Sequence, residues 1–132
     1  MNATRRITIN STSDIVSASV KGREIARQLG FSATDQSRIS LVISELARIL
    51  SWGTSVPGEI VMCGKCQSGH RGLEIACLVD LDKLPESQHN QLVRKSSILW
   101  RSLARIRRLA DESRVEEQNE QQACVMLTKW MS

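Results

Sequence analysis

Four cysteines, two histidines and one helical glutamate are the side chains in this sequence whose types and spacing invite chemical readings. Cys63-Gly64-Lys65-Cys66 has the spacing of a zinc knuckle or a thiol-redox pair, with His70, Cys77 and Cys124 elsewhere in the chain. A structural zinc site ordinarily draws on two such knuckles, and only one is present. The pair also falls in a segment that reads as a strand, where an odd spacing sends the two side chains to opposite faces. Reduced thiols used as small apolar residues are therefore expected, with no bound metal; a metal or redox sensor built on Cys63 and Cys66 is the minor alternative. His70 falls in a turn and His89 at a helix start, neither with a partner for a Ser/His/Asp or Cys/His set, and both are expected at the surface. Glu45 is weighed below, as a catalytic base or a solvated helix carboxylate.

Phosphate chemistry would need other residues. The seven glycines stand at 22, 30, 53, 58, 64, 69 and 72, with none from Leu73 to Ser132, so a Gly-rich phosphate cradle has nothing to use in the last 60 residues. Phe31, Trp52, Trp100 and Trp130 are the only aromatics, which disfavours stacking on single-stranded nucleic acid. The net charge of +4, from 18 Lys/Arg against 14 Asp/Glu, is mild but unevenly placed. Arg94 to Arg108 holds six cations and no acid, while Asp111 to Glu120 holds five acids against Arg114. The bland reading is a solvated basic helix face followed by an acidic edge. The functional reading is a docking face for an acidic protein partner, with Arg101, Arg105 and Arg108 at helical spacing; no groove-reading motif points to nucleic acid.

The elements that must position these residues follow from periodicity. The 132 residues, 41% hydrophobic and 24% charged, suit one domain over 1–132. No run of about 18 apolar residues is present, so no membrane span is expected, and the N-terminus has no signal-like apolar region; a cytoplasmic location is expected. Arg5-Ile7-Ile9 reads as a short strand. Capping residues Ser11 to Asp14 open a helix whose apolar stripe runs from Ile15 to Leu29, closed by Gly30. Ile39, Val42, Ile43, Leu46, Ala47 and Leu50 carry a second helix to about Ser51. Glu59 to Cys66 and Leu73 to Leu81 read as strands joined by Gln67 to Gly72. Leu92, Ser96, Leu99, Leu103, Ile106 and Ala110 predict one long third helix, and Ser113–Glu117 and Ala123–Trp130 two closing strands. The order β-α-α-β-β-α-β-β predicts an α+β two-layer sandwich, a mostly antiparallel mixed sheet with three helices on one face.

Within the first two helices, Asp14-Ile15-Val16, Gly22-Arg23, Leu29-Gly30-Phe31, Asp35-Gln36-Ser37-Arg38-Ile39 and Ile43-Ser44-Glu45-Leu46-Ala47-Arg48 form a series that resembles the RsbT group of bacterial switch kinases. These are small serine-protein kinases of the GHKL ATPase superfamily, related to anti-sigma factors of the RsbW type. The ending Thr128-Lys129-Trp130 is similar to that family's last strand. The resemblance implies three nucleotide motifs. In the N box a Glu acts as base and an Asn four residues on ligates Mg²⁺; Glu45 stands at the first position, but the second is Ile49, which has no oxygen to offer. The Asp-x-Gly-x-Gly motif that reads adenine falls by register on Val79, Leu81 and Lys83. Asp80 and Asp82 are neighbours, but a one-residue slip along a strand points a side chain to the other face, so no rescue is expected.

The Gly-rich lid positions are occupied by Ser97, Ile98, Trp100 and Ser102, and the late Gly-Thr pair by Gln122-Ala123. Four losses together imply a pseudokinase with no cofactor, and Trp100 is a candidate to fill the vacated pocket, plain core packing being the alternative. The resemblance implies a regulatory module of a stress-signalling, partner-switching system. Its implied partners are STAS-domain antagonist or scaffold proteins and the regulatory domain of a phosphatase. The rival reading is an active serine-protein kinase using ATP and Mg²⁺, with Glu45 in its favour.

Overall fold

Residues 4–51, 58–84 and 94–131 are described by a computed structural model of the chain, Lys83 by its backbone alone. Alternating buried positions organise the sheet. Ile7 and Ile9 of β1 (Thr4–Ile9), Ile60 and Met62 of β2 (Gly58–Gln67), and Leu73, Ile75, Cys77 and Val79 of β3 (His70–Asp80) are all buried. So are Ala123, Val125 and Leu127 of β5 (Gln122–Trp130). The register sets them side by side, Ile7 opposite Ile60, Ile60 opposite Cys77 and Cys77 opposite Val125, so the centre of one face of the sheet is apolar. Helix residues Ile25, Ile39, Ile43, Leu46, Leu99 and Ile106 close the same core over it.

The strand order is β1-β2-β3-β5-β4, with β4 spanning Glu112–Glu117. Every pairing is antiparallel, so the mixed sheet expected above is corrected to a wholly antiparallel one. The reason is topological. β3 and β4 run the same way, and β5 inserts between them antiparallel to both. The β2–β3 connection is also tighter than expected: Gln67 already pairs with His70 across Ser68-Gly69. Both turn residues have positive φ, 52° and 82°, the backbone of a two-residue turn whose twist matches the flanking strands.

α1 (Asp14–Leu29) and α2 (Ala33–Leu50) form an antiparallel hairpin over β1, β2 and β3. Asp14 caps backwards rather than Ser13 capping forwards: its carboxylate accepts from the amides of Asn10 and Ser11 at 2.7 and 3.2 Å. Gly30 ends α1 in the left-handed region at φ 95°, and its amide and that of Phe31 close on the carbonyls of Arg27 and Ala26. Ser32 caps α2 by accepting from the Asp35 amide. The two helices approach closely at Gly22, where a Cβ would lie 2.7 Å from Ile43 Cγ1. Arg23 also bonds Ser37, and Ser40 bonds the Ser19 carbonyl.

The single third helix is a second correction. It is split into α3 (Lys95–Ser102) and a short α4 (Ala104–Arg107), with Leu103 between them at φ −90°, ψ 4°. The Ser102 hydroxyl donates back to the Ile98 carbonyl at 2.9 Å, the kind of local bond that competes with helix continuation. Among the described residues, no helix is long and apolar enough to cross a membrane.

Candidate functional site

Glu45 lies on α2 with its side chain 20% exposed, accepting from Arg48 at 2.9 Å and approached by Arg105 of α4 at 3.9 Å. One turn further along, Ile49 is buried in the apolar core. Val79 is the penultimate residue of β3 and Leu81 opens the 3-10 turn that follows the strand, and both are buried. Ile98 and Leu99 of α3 and Leu103 after it are buried in the same core, and Ala123 of β5 pairs with Val79. Ile49, Val79, Leu81, Ile98 and Ala123 are all buried members of the domain's single hydrophobic core. None of the five side chains carries an oxygen for Mg²⁺ or a polar group for a base.

The neighbouring carboxylates are used structurally. Asp80 caps the 3-10 turn by accepting from the Asp82 amide at 3.0 Å, and Asp82 pairs with Lys95 at the start of α3. Glu117 of β4 accepts from Arg94 and from the Ser96 hydroxyl. These two bonds hold its carboxyl below the usual carboxylate range, and they pin α3 to the sheet.

Trp100 does not occupy the predicted place. It is half-buried at the edge of the sheet, lining an open groove with Arg94, Arg101 and Val115, and the Arg107 guanidinium lies 4.2 Å from its ring centroid. Ile98 and Leu99 are the α3 residues that enter the core. Neighbouring Ser97 and Ser102 remain exposed. Arg101, Arg105 and Arg108 are all exposed, but the break at Leu103 removes the continuous helical spacing that would align them. Arg101 lines the groove, whereas Arg105 turns toward Glu45.

Cys63 and Cys66 lie on β2, opposite Glu74 and Arg71 of β3. Among the described residues no group of three or more His, Cys, Asp or Glu side chains could hold a metal ion. His70 is exposed at the β2–β3 turn; His89 lies outside the described residues. Cys77 is a core residue, and burial, then the neighbouring Cys124, pushes its thiol from 9.0 up to about 12. A raised value in the fold means that stability is fully present below the unfolded value near 9 and drains away as pH rises toward 12. Above pH 9 the stability advantage of the wild type over Cys77→Ala is expected to shrink by about 1.4 kcal/mol per pH unit. Chemical denaturation of both proteins across that range checks this; parallel curves would contradict it.

One polar cluster joins residues that the sequence marked only for family likeness, not as partners. Lys129 is 8% exposed and Asp35 2%. The Lys129 ammonium lies 3.6 Å from Asp35 and 3.1 Å from Asp111, and donates to the Trp130 carbonyl at 3.2 Å. Arg38 reaches the same Asp35 oxygen at 3.3 Å. The signal was present as a lone cation inside the otherwise uncharged Cys124–Met131 run.

No family model matches the chain. The chain is similar to the serine/threonine-protein kinase RsbT of Bacillus subtilis (strain 168), at 30% identity over 137 residues that cover 99% of each protein.

Proposed function

Because the chain belongs to the RsbT family of serine/threonine-protein kinases, we propose that it is a regulatory protein-binding module of a partner-switching, stress-signalling system, a GHKL-type scaffold that works without ATP. Its partners are STAS-domain antagonist or scaffold proteins, or the regulatory domain of a phosphatase. The observation that carries this reading is that Ile49, Val79, Leu81, Ile98 and Ala123, the residues at the positions where the family resemblance expects nucleotide contacts, are all apolar and buried in the core. Phosphoryl transfer is almost wholly positioning and charge stabilisation around metal and phosphates, so losing the ligands removes the reaction rather than slowing it. Glu45, the one acid at its expected position, is paired with Arg48 and Arg105.

The α1–α2 hairpin keeps the family's residue pattern and carries Val16, Val20 and Leu41 in the open, a surface suited to protein contact. Exposed Arg101, Arg105 and Arg108 supply the basic complement to an acidic partner surface. In a capture assay on a STAS-domain protein from the same system, Arg101→Glu with Arg105→Glu is expected to weaken retention about tenfold or more. Undiminished capture would remove the basic face from the interface.

The relative's kinase name and the retained Glu45 favour one second reading, an active serine-protein kinase. It requires a metal ligand in place of Ile49. Transfer of labelled phosphate to a STAS-domain substrate would establish it.

A further inference from the structure

β4 is an edge strand: it pairs with β5 on one side, and among the described residues no strand pairs its other edge. An open groove of about 650 Å³ runs between β4 and α3. Ser113, Arg114 and Val115 all line it, although successive strand residues point to opposite faces. A groove reached by all three follows the edge of the strand rather than either face. Trp100 and Arg101 form the facing wall. The bonds from Arg94 and Ser96 to Glu117 hold that wall against the strand, so the groove is formed before anything enters it.

The lining is cationic. Arg94, Arg101 and Arg114 face a single acid, Glu117. Arg94 is paired with Glu117 at 2.7 Å and Arg114 with Glu116 at 3.0 Å, whereas Arg101 has no ion pair among the described residues. Trp100 and Val115 supply apolar surface, and Arg107 over the indole ring adds positive charge behind it. An unpaired strand edge selects an extended chain, because only an extended backbone meets its alternating N–H and C=O groups. The surplus of arginine selects carboxylates on that chain.

We propose that this groove takes an extended acidic segment of a protein partner, paired with the free edge of β4, with an apolar side chain against Trp100 and Val115 and carboxylates against Arg101 and Arg94. The inference rests on the reading of the chain as a protein-binding module and adds the chemistry of the docked segment.

The test is a titration of the full chain against a dye-labelled peptide alternating glutamate with valine, read by fluorescence anisotropy. Saturable binding is expected, weakened roughly tenfold or more by Arg101→Glu and by Trp100→Ala. The same loss is expected when alternate backbone nitrogens of the peptide are methylated, which leaves the protein untouched and removes strand pairing. Equal binding of the methylated peptide or of a lysine-for-glutamate counterpart, or undiminished binding by Arg101→Glu, would overturn the proposal. So would tighter binding of an oligothymidine at the same groove. STAS-partner capture that persists while the peptide fails to bind counts against the groove alone. Peptide binding without capture supports the groove and counts against the partner-switching reading.

Discussion

Replacing Lys129 with alanine is expected to destabilise the protein by about 3–5 kcal/mol, because it strips the counter-charge from a buried carboxylate. Asp35 is 2% exposed, and the Lys129 ammonium stands between it and Asp111. Bulk water reaches Asp35 poorly, so the lost cation is not replaced by solvation. Arg38, whose side chain is 48% exposed, reaches the same oxygen at 3.3 Å and compensates only in part. Truncation also removes the aliphatic stem that packs beneath the ammonium. The double variant Asp35→Asn with Lys129→Met removes both charges and is expected to be more stable than Lys129→Ala alone. Urea unfolding of the three proteins measures this, and a loss under about 1 kcal/mol for Lys129→Ala would mean that the pair behaves as a solvated surface bridge.

Leu99→Ala is expected to cost about 2–5 kcal/mol, the range for opening a cavity in a packed core. Leu99 is 0% exposed and belongs to the same apolar cluster as Ile49, Val79 and Leu81. In a nucleotide-binding domain this segment would be a lid whose side chains contribute little without ligand. Here it is part of the core, and saturating Mg-ATP is expected to leave the loss uncorrected. A thermal or urea midpoint within experimental scatter of the wild type would show that α3 is a surface lid after all. Recovery of stability on adding Mg-ATP would show the same by linkage.

The elements were legible where local pattern and tertiary packing agree. The apolar spacing from Ile15 to Leu29 with Gly30 after it, and from Ile39 to Leu50, marked both helices and their ends, because these stripes face one continuous core; the start of α2 at Ala33 lies ahead of its stripe, in the polar turn capped by Ser32. The strands were legible because one face is buried and the other is not, so alternation survives in the sequence. The helix break at Leu103 was not legible, since the stripe from Leu99 through Leu103 to Ile106 stays in register across it. The break lies in the backbone of Leu103, at φ −90°, ψ 4°, ahead of the turn toward β4, which periodicity does not record. Trp100 was misplaced for the same reason: one residue of helical rotation separates the core position of Leu99 from the groove position of Trp100.

At the candidate site, the residue substitutions were readable one by one. Their convergence was not, because Ile49, Val79, Ile98 and Ala123 come from four separate elements that only the fold assembles. The Asp35–Lys129 pair was hidden for a related reason. Both residues sat in stretches read for family likeness or strand pattern, and nothing local marks an acid in the first turn of α2 as the partner of a lysine near the end of β5.

A nucleotide-dependent switch changes its partner affinity when the phosphates change. On the function proposed above, control would instead run through surfaces, by competition between partners for the α1–α2 hairpin, the basic residues of α3 and α4, and the β4 edge.

Calorimetric titration of the full chain with Mg-ATP decides whether the chain works without nucleotide. No saturable heat up to millimolar nucleotide is the predicted result. Magnesium-dependent binding in the micromolar range, abolished by Glu45→Gln, would contradict it.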